Sequence, residues 1–164
     1  MKTLIATAVA VTAAAGLAVT VPATASASGC STSWGSQAKV ARNNTHGTLA
    51  GVRAGRHACF DRLVLDVNRN GIGWSVRYVS AVRNQGQGAV IPLRGGAFLE
   101  IVEQAQVTRR LPMPSVAGFS TFRQVGDGGS FEGYTTVGLG VRSRLPFRVS
   151  AADHRLVIDV AHRW

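Results

Sequence analysis

Hydrolytic chemistry needs a nucleophile beside a base, a metal ion, or two carboxylates whose surroundings separate their acidities. The four histidines, His46, His57, His154 and His162, stand singly, and none belongs to an H-E-x-x-H or comparable metal arrangement. His57-Ala-Cys59 offers two zinc ligands in principle, but a disulfide is the stronger use of Cys59, so no metal is expected. No serine sits in a G-x-S-x-G elbow. Gly138-Leu-Gly140 lacks the third glycine and the strand-to-helix context of a phosphate loop; glycines at a strand bend or a close backbone approach suit it better. The residues therefore predict no catalytic group and no cofactor.

Binding chemistry is better represented. Glu132, between Phe131 and Gly133 beside a glycine-rich run, is a carboxylate that Arg123, Arg142 or Arg144 could hold, either as a structural ion pair or as part of a binding site. Arg142-Ser-Arg144-Leu-Pro-Phe-Arg148 is the densest basic segment, with Arg142 and Arg144 expected on one face of a strand. It is either a solvated charged face or a surface for an anion. Arg123, Glu132, Arg142 and Arg144 are thus the candidate binding residues. Asp66 and Asp159 occupy equivalent positions beside arginines and predict cross-strand ion pairs of small net worth.

The formal charge is +10, carried by 16 Arg and only 2 Lys against 8 acids. Such an excess favours polyanionic neighbours, and a guanidinium grips carboxylate or phosphate with two parallel hydrogen bonds; a GC-rich genome also produces arginine in excess. Nucleic acid is a poor partner, since only Phe147 offers a stacking ring within the basic segment and the chain reads as exported. Export is inferred from Met1-Lys2, the apolar run Leu4 to Val21 and the Ala25-x-Ala27 pair, which together form a signal peptide over residues 1–27. The rival arrangement is a lipoprotein signal with Cys30 acylated, for which Ala27 stands where a leucine is usual. No later stretch approaches the roughly 18 apolar residues of a spanning helix.

Without residues 1–27, 137 of the 164 residues remain, enough for one domain with a core. Cys30 and Cys59, an even pair in an exported chain, predict a disulfide. Residues 28–54, rich in Ser, Thr, Asn, Gly and Ala, predict an extended arm, and residues 55–164 a β-rich domain of about seven to eight strands. Phe60 to Val67 alternates with period two, and Asn68 to Gly73 has turn chemistry, so Trp74 to Val82 is expected to complete a hairpin with it. Further strands are expected at Ala89 to Leu93, Ala97 to Gln104, Phe119 to Val125, Tyr134 to Arg142, Phe147 to Val149 and Arg155 to Ala161. Ala97 to Gln104 also suits a helix face, and Gly126 to Gly129 is expected to turn. Arg62-Leu-Val-Leu-Asp-Val67 and Arg155-Leu-Val-Ile-Asp-Val160 differ at one position, which implies either internal symmetry or two strands in the same kind of slot.

Gly55-Arg-His-Ala-Cys-Phe-Asp-Arg-Leu-Val-Leu-Asp-Val67, Pro92-Leu-Arg-Gly-Gly96, Gly118-Phe-Ser-Thr-Phe-Arg123, Gly129-Ser-Phe-Glu-Gly133, Gly138 to Val149 and Arg155 to Trp164 together resemble the AMIN-like domain proteins secreted by actinobacteria. The resemblance implies a β-sandwich akin to the AMIN domain of cell-wall amidases and secretins, a non-catalytic module that localises its partners through peptidoglycan. The expected partner is therefore peptidoglycan or an anionic wall polymer. A protein partner, captured along a sheet edge, is the alternative. Unlike those relatives, residues 28–164 are not expected to include an enzyme domain, and Thr108-Arg-Arg-Leu111 stands where the relatives carry a longer spacer.

Overall fold

The computed structural model describes Cys30 and residues 32–164; the expected signal peptide lies outside them. The described residues form ten strands and no helix: β1 (Lys39–Ala41), β2 (Gly47–Arg56), β3 (Phe60–Val67), β4 (Trp74–Val79), β5 (Ala97–Glu103), β6 (Ala105–Gln106), β7 (Phe122–Phe131), β8 (Tyr134–Val141), β9 (Phe147–Ala152) and β10 (Arg155–Ala161). They make two five-stranded sheets, β1-β4-β5-β8-β7 and β6-β2-β3-β10-β9. The expected all-β sandwich is what forms, with β1 and β6 as short additions.

Alternation explains the stacking. Along β3, Leu63, Leu65 and Val67 point inward, as do Leu156, Ile158 and Val160 of β10. They meet Val76, Leu99, Ile101, Val137, Leu139 and Val141 of the other sheet, with Phe122 and Phe147 filling the ends. Each fully buried Leu or Ile contributes on the order of 2 kcal/mol of transfer free energy. β5 is a strand and not the alternative helix, because it is paired in register on both sides, Ile101 lying between Val76 of β4 and Val137 of β8.

Several local expectations are overturned by tertiary pairing. β3 and β4 are not a hairpin: β3 pairs with β2 and β10, β4 with β1 and β5. Their connection crosses between sheets. Its turn-forming residues bond sideways, Asn68 Oδ1 accepting from Thr48 N at 2.8 Å and Asn70 Oδ1 from His154 N at 2.6 Å. The segment 28–54 is an arm only in part, since β1 and most of β2 lie within it and Leu49 and Val52 join the core. Ala89 to Leu93 forms no strand; an isolated bridge joins Arg83 to Val90. Gly126 to Gly129 continues β7 with a register shift, and the chain reverses at Glu132 and Gly133.

Cys30 and Cys59 form a disulfide, Cα to Cα 5.3 Å, which uses the sulfur that acylation of Cys30 would require. It ties the arm to the loop before β3. Trp34 packs edge-on to Phe60 with ring centroids 5.7 Å apart.

Candidate binding surface

The four residues singled out in the sequence do not converge. Glu132 is exposed at the β7–β8 turn, with φ of 49°, and makes no ion pair among the described residues. Arg123 and Arg142 lie at the opposite end of the same two strands, where Phe122 is registered against Val141. Strand rise over the length of β8 separates the two ends by about 24 Å. Arg123 Nη1 donates to the carbonyls of Phe119 at 3.2 Å and Phe122 at 2.9 Å. Arg142 and Arg144 stand in the loop after β8, not on a strand face. Arg142 donates to His162 O, and Arg144 to Ser36 Oγ and Ser36 O, both at 3.1 Å, while its guanidinium lies 5.0 Å from the Tyr78 ring centroid. These arginines hold loops and termini together.

A buried acid–base pair also has a structural explanation. Asp61 Oδ2 accepts from Thr121 N at 2.6 Å and Phe122 N at 3.0 Å, and Oδ1 lies 3.1 Å from His162 Nε2. The Thr121 hydroxyl is fully buried and donates to Ala161 O at 3.3 Å. The arrangement stitches β7 to the β3–β10 sheet and leaves no exposed nucleophile.

Chemistry gathers instead on the outer face of β2-β3-β10-β9. Side chains that alternate away from the core there are Arg53 on β2, Phe60, Arg62, Val64 and Asp66 on β3, Arg155, Val157 and Asp159 on β10, and Arg148 on β9. Asp159, 2 % exposed, accepts from Arg62 through Nε at 2.7 Å and Nη2 at 2.9 Å, and from Arg148 Nε at 2.8 Å. Asp66 accepts from Arg53 through Nε at 2.6 Å and Nη2 at 2.7 Å, and Arg155 Nε lies 3.7 Å away. The hydrogen bonds from Arg53 hold the Asp66 carboxyl below the usual range. Each aspartate thus serves two arginines, leaving each trio with one excess positive charge and outward N–H groups to spare.

An aromatic cluster borders the first trio. The Arg148 guanidinium stacks 4.3 Å from the Trp34 centroid and 5.3 Å from Phe60, Arg62 sits 5.2 Å from Phe60, and His57 stacks on Phe60 at 4.5 Å. Of this surface the sequence marked Asp66 and Asp159 and, as the end of the basic segment, Arg148; Arg53 and Trp34 were hidden because they reach it from another strand and from the arm. A separate shallow pocket of ≈ 320 Å³ near the β1–β2 loop is lined by Arg42, Asn43, Asn44, Gln104 and Tyr134, among others.

The family model for the AMIN-like domain matches residues 47–162, from β2 through β10. The chain belongs to the AMIN-like domain family. Searches of curated proteins and of solved structures return no match. The AMIN-like match starts at the first residue of β2, eight positions before the boundary expected at Gly55, and leaves β1 and Cys30 outside. AMIN-like domains are in general non-catalytic binding modules, and the family points to a cell-wall-related role. The AMIN-like match and the disulfide together suggest an extracellular or cell-envelope protein; among the described residues no helix is long and apolar enough to cross a membrane.

Proposed function

We propose that this protein is a secreted, non-catalytic envelope-binding module that associates with peptidoglycan or an anionic wall polymer through the outer face of β2-β3-β10-β9. The observation that carries the reading is the pair of Arg–Asp–Arg trios on one open sheet face. Guanidiniums already oriented by a shared aspartate need little further ordering to accept an anion. Trp34 and Phe60 hold Arg148 and Arg62 in place at one end by cation–π contact. The signal peptide at residues 1–27 would deliver the domain to such a ligand.

The test is retention of purified protein on insoluble wall sacculi, with and without teichoic acid, at low and high salt. The expected result is retention that salt weakens. Loss of retention on stripping teichoic acid assigns the anionic polymer, and unchanged retention assigns peptidoglycan. Arg148→Gln with Arg155→Gln is expected to abolish retention. Arg142→Ala with Arg144→Ala is the comparison: loss there alone moves the site to the loop after β8. No retention under any condition refutes envelope binding and leaves a protein partner as the better account.

A further inference from the structure

The repeated hexapeptide explains the shape of this face. Arg62-Leu-Val-Leu-Asp-Val67 and Arg155-Leu-Val-Ile-Asp-Val160 are direct antiparallel neighbours, registered Arg62 to Asp159, Val64 to Val157 and Asp66 to Arg155. Two like sequences paired antiparallel about their third residues generate a local two-fold axis. That axis passes between Val64 and Val157 and exchanges the arginine of each strand with the arginine of the other. Each flanking strand then adds one arginine, Arg148 beside Asp159 and Arg53 beside Asp66. The result is two trios of like composition four residues apart along β3, about 13 Å, with Val64 and Val157 between them on the central strands and Arg53 reaching Asp66 diagonally from beside Val64.

We propose that this face is a two-point clamp with local two-fold symmetry for a chain-like polyanion, each trio holding one anionic group of the same chain, in either chain direction. The inference rests on the envelope-polymer reading above and names its ligand class: a polymer whose phosphate or carboxylate groups recur along the chain. One exposed guanidinium–anion contact is weak in water and screened by salt. A second contact on the same chain is intramolecular, which raises affinity without any new chemistry. Because the axis of the β3–β10 pair lies perpendicular to the sheet, a chain laid across both trios meets two arginines and one aspartate at each end in either direction. The aromatic cluster lies at the Asp159 end alone, and Arg148 faces Asp159 directly while Arg53 reaches Asp66 from beside Val64, so the symmetry belongs to the β3–β10 pair and to the net charge of each trio and not to the whole face.

The probes are glycerol phosphate and poly(glycerol phosphate), and, to distinguish carboxylate from phosphate, galacturonate and polygalacturonate. Arg53→Gln with Arg155→Gln removes one trio and leaves only the partly exposed Asp66 unpaired; Arg155→Gln alone, which breaks only the loosest contact, checks against misfolding. The clamp predicts that the double variant loses about tenfold or more in affinity for the polymer. Its affinity for the monomer falls by no more than about half, as expected when one of two equal sites is lost. Equal loss for polymer and monomer overturns the clamp while sparing the envelope reading. A wild-type protein that binds neither polymers nor sacculi sinks that reading itself. A polymer tagged at one end with a nitroxide is expected to broaden amide resonances beside both Arg148 and Arg155. Broadening confined to one trio establishes a fixed direction and overturns the symmetry.

Discussion

The outer faces of β7-β8 and of β2-β3-β10-β9 are of opposite kinds. On β7 and β8 the outward positions are largely glycine, and residues 80–96 lie flat on them: a Cβ at Gly138 would fall 2.7 Å from Leu93 Cδ1, and one at Gly140 2.0 Å from Arg94 O. Val82 is almost fully buried against this surface. The outer face of β2-β3-β10-β9 carries long charged side chains and is covered, among the described residues, only where Trp34 of the arm meets Phe60 and Arg148, with Arg53 58 % and Arg155 54 % exposed. One face has lost its side chains so that backbone can approach; the other keeps long polar ones. The contrast teaches where partners meet the molecule, because a face built to be covered by its own chain has none of its surface left to offer.

The largest effect is expected in the layer that both faces share. Glu103 is 1 % exposed, neither carboxyl oxygen meets a hydrogen-bond partner from the protein, and burial pushes its pKa up to about 8 from an ordinary 4.5. The protonated form is therefore favoured by folding. Stability contributed this way is fully present below pH 4.5, falls as pH rises to about 8 and is level above it. The loss across that window is on the order of 5 kcal/mol. Urea titrations of wild type and Glu103→Gln across this range should show the slope in the first and little of it in the second; equal slopes assign the pH dependence elsewhere.

A smaller loss should come from the disulfide. Cys30→Ser with Cys59→Ser opens a loop with sequence separation 29 and should cost about 3 kcal/mol on the chain-entropy account. It should also release Trp34 from Arg148, so a change in tryptophan fluorescence is expected to accompany the lower melting temperature. Smaller again, Gly140→Ala should cost about 2 kcal/mol by forcing residues 80–96 off the sheet. On the open face Ser150→Ala should change stability by less than about 0.5 kcal/mol. Similar costs at the two positions would erase the distinction between a covered and an open face.

The architecture was legible where one strand's own alternation decides it. Phe60–Val67 and Arg155–Ala161 form over the residues expected, because period two specifies both strand and buried face. The cross-strand pairing of Asp66 and Asp159 with arginines was legible for the same reason. What escaped depends on distant segments. Asn68 to Gly73 has the residues of a hairpin turn, and local chemistry does not distinguish a chain that doubles back from one that crosses to the other sheet. Gly126 to Gly129 suggests a turn until the Leu93 side chain that packs against Gly126 is known. Arg142 and Arg144 stood out by density in the sequence, yet density says nothing of partners already supplied by Ser36 and His162.

The central claim, that the arginine-bearing face of β2-β3-β10-β9 is the surface on which the envelope polymer lies, is tested most directly by amide chemical-shift mapping during titration with poly(glycerol phosphate). The account predicts shifts centred on Arg53, Arg62, Val64, Arg148, Arg155 and Val157. Shifts centred on residues 80–96, or on the pocket at Asn43 and Asn44, would contradict it.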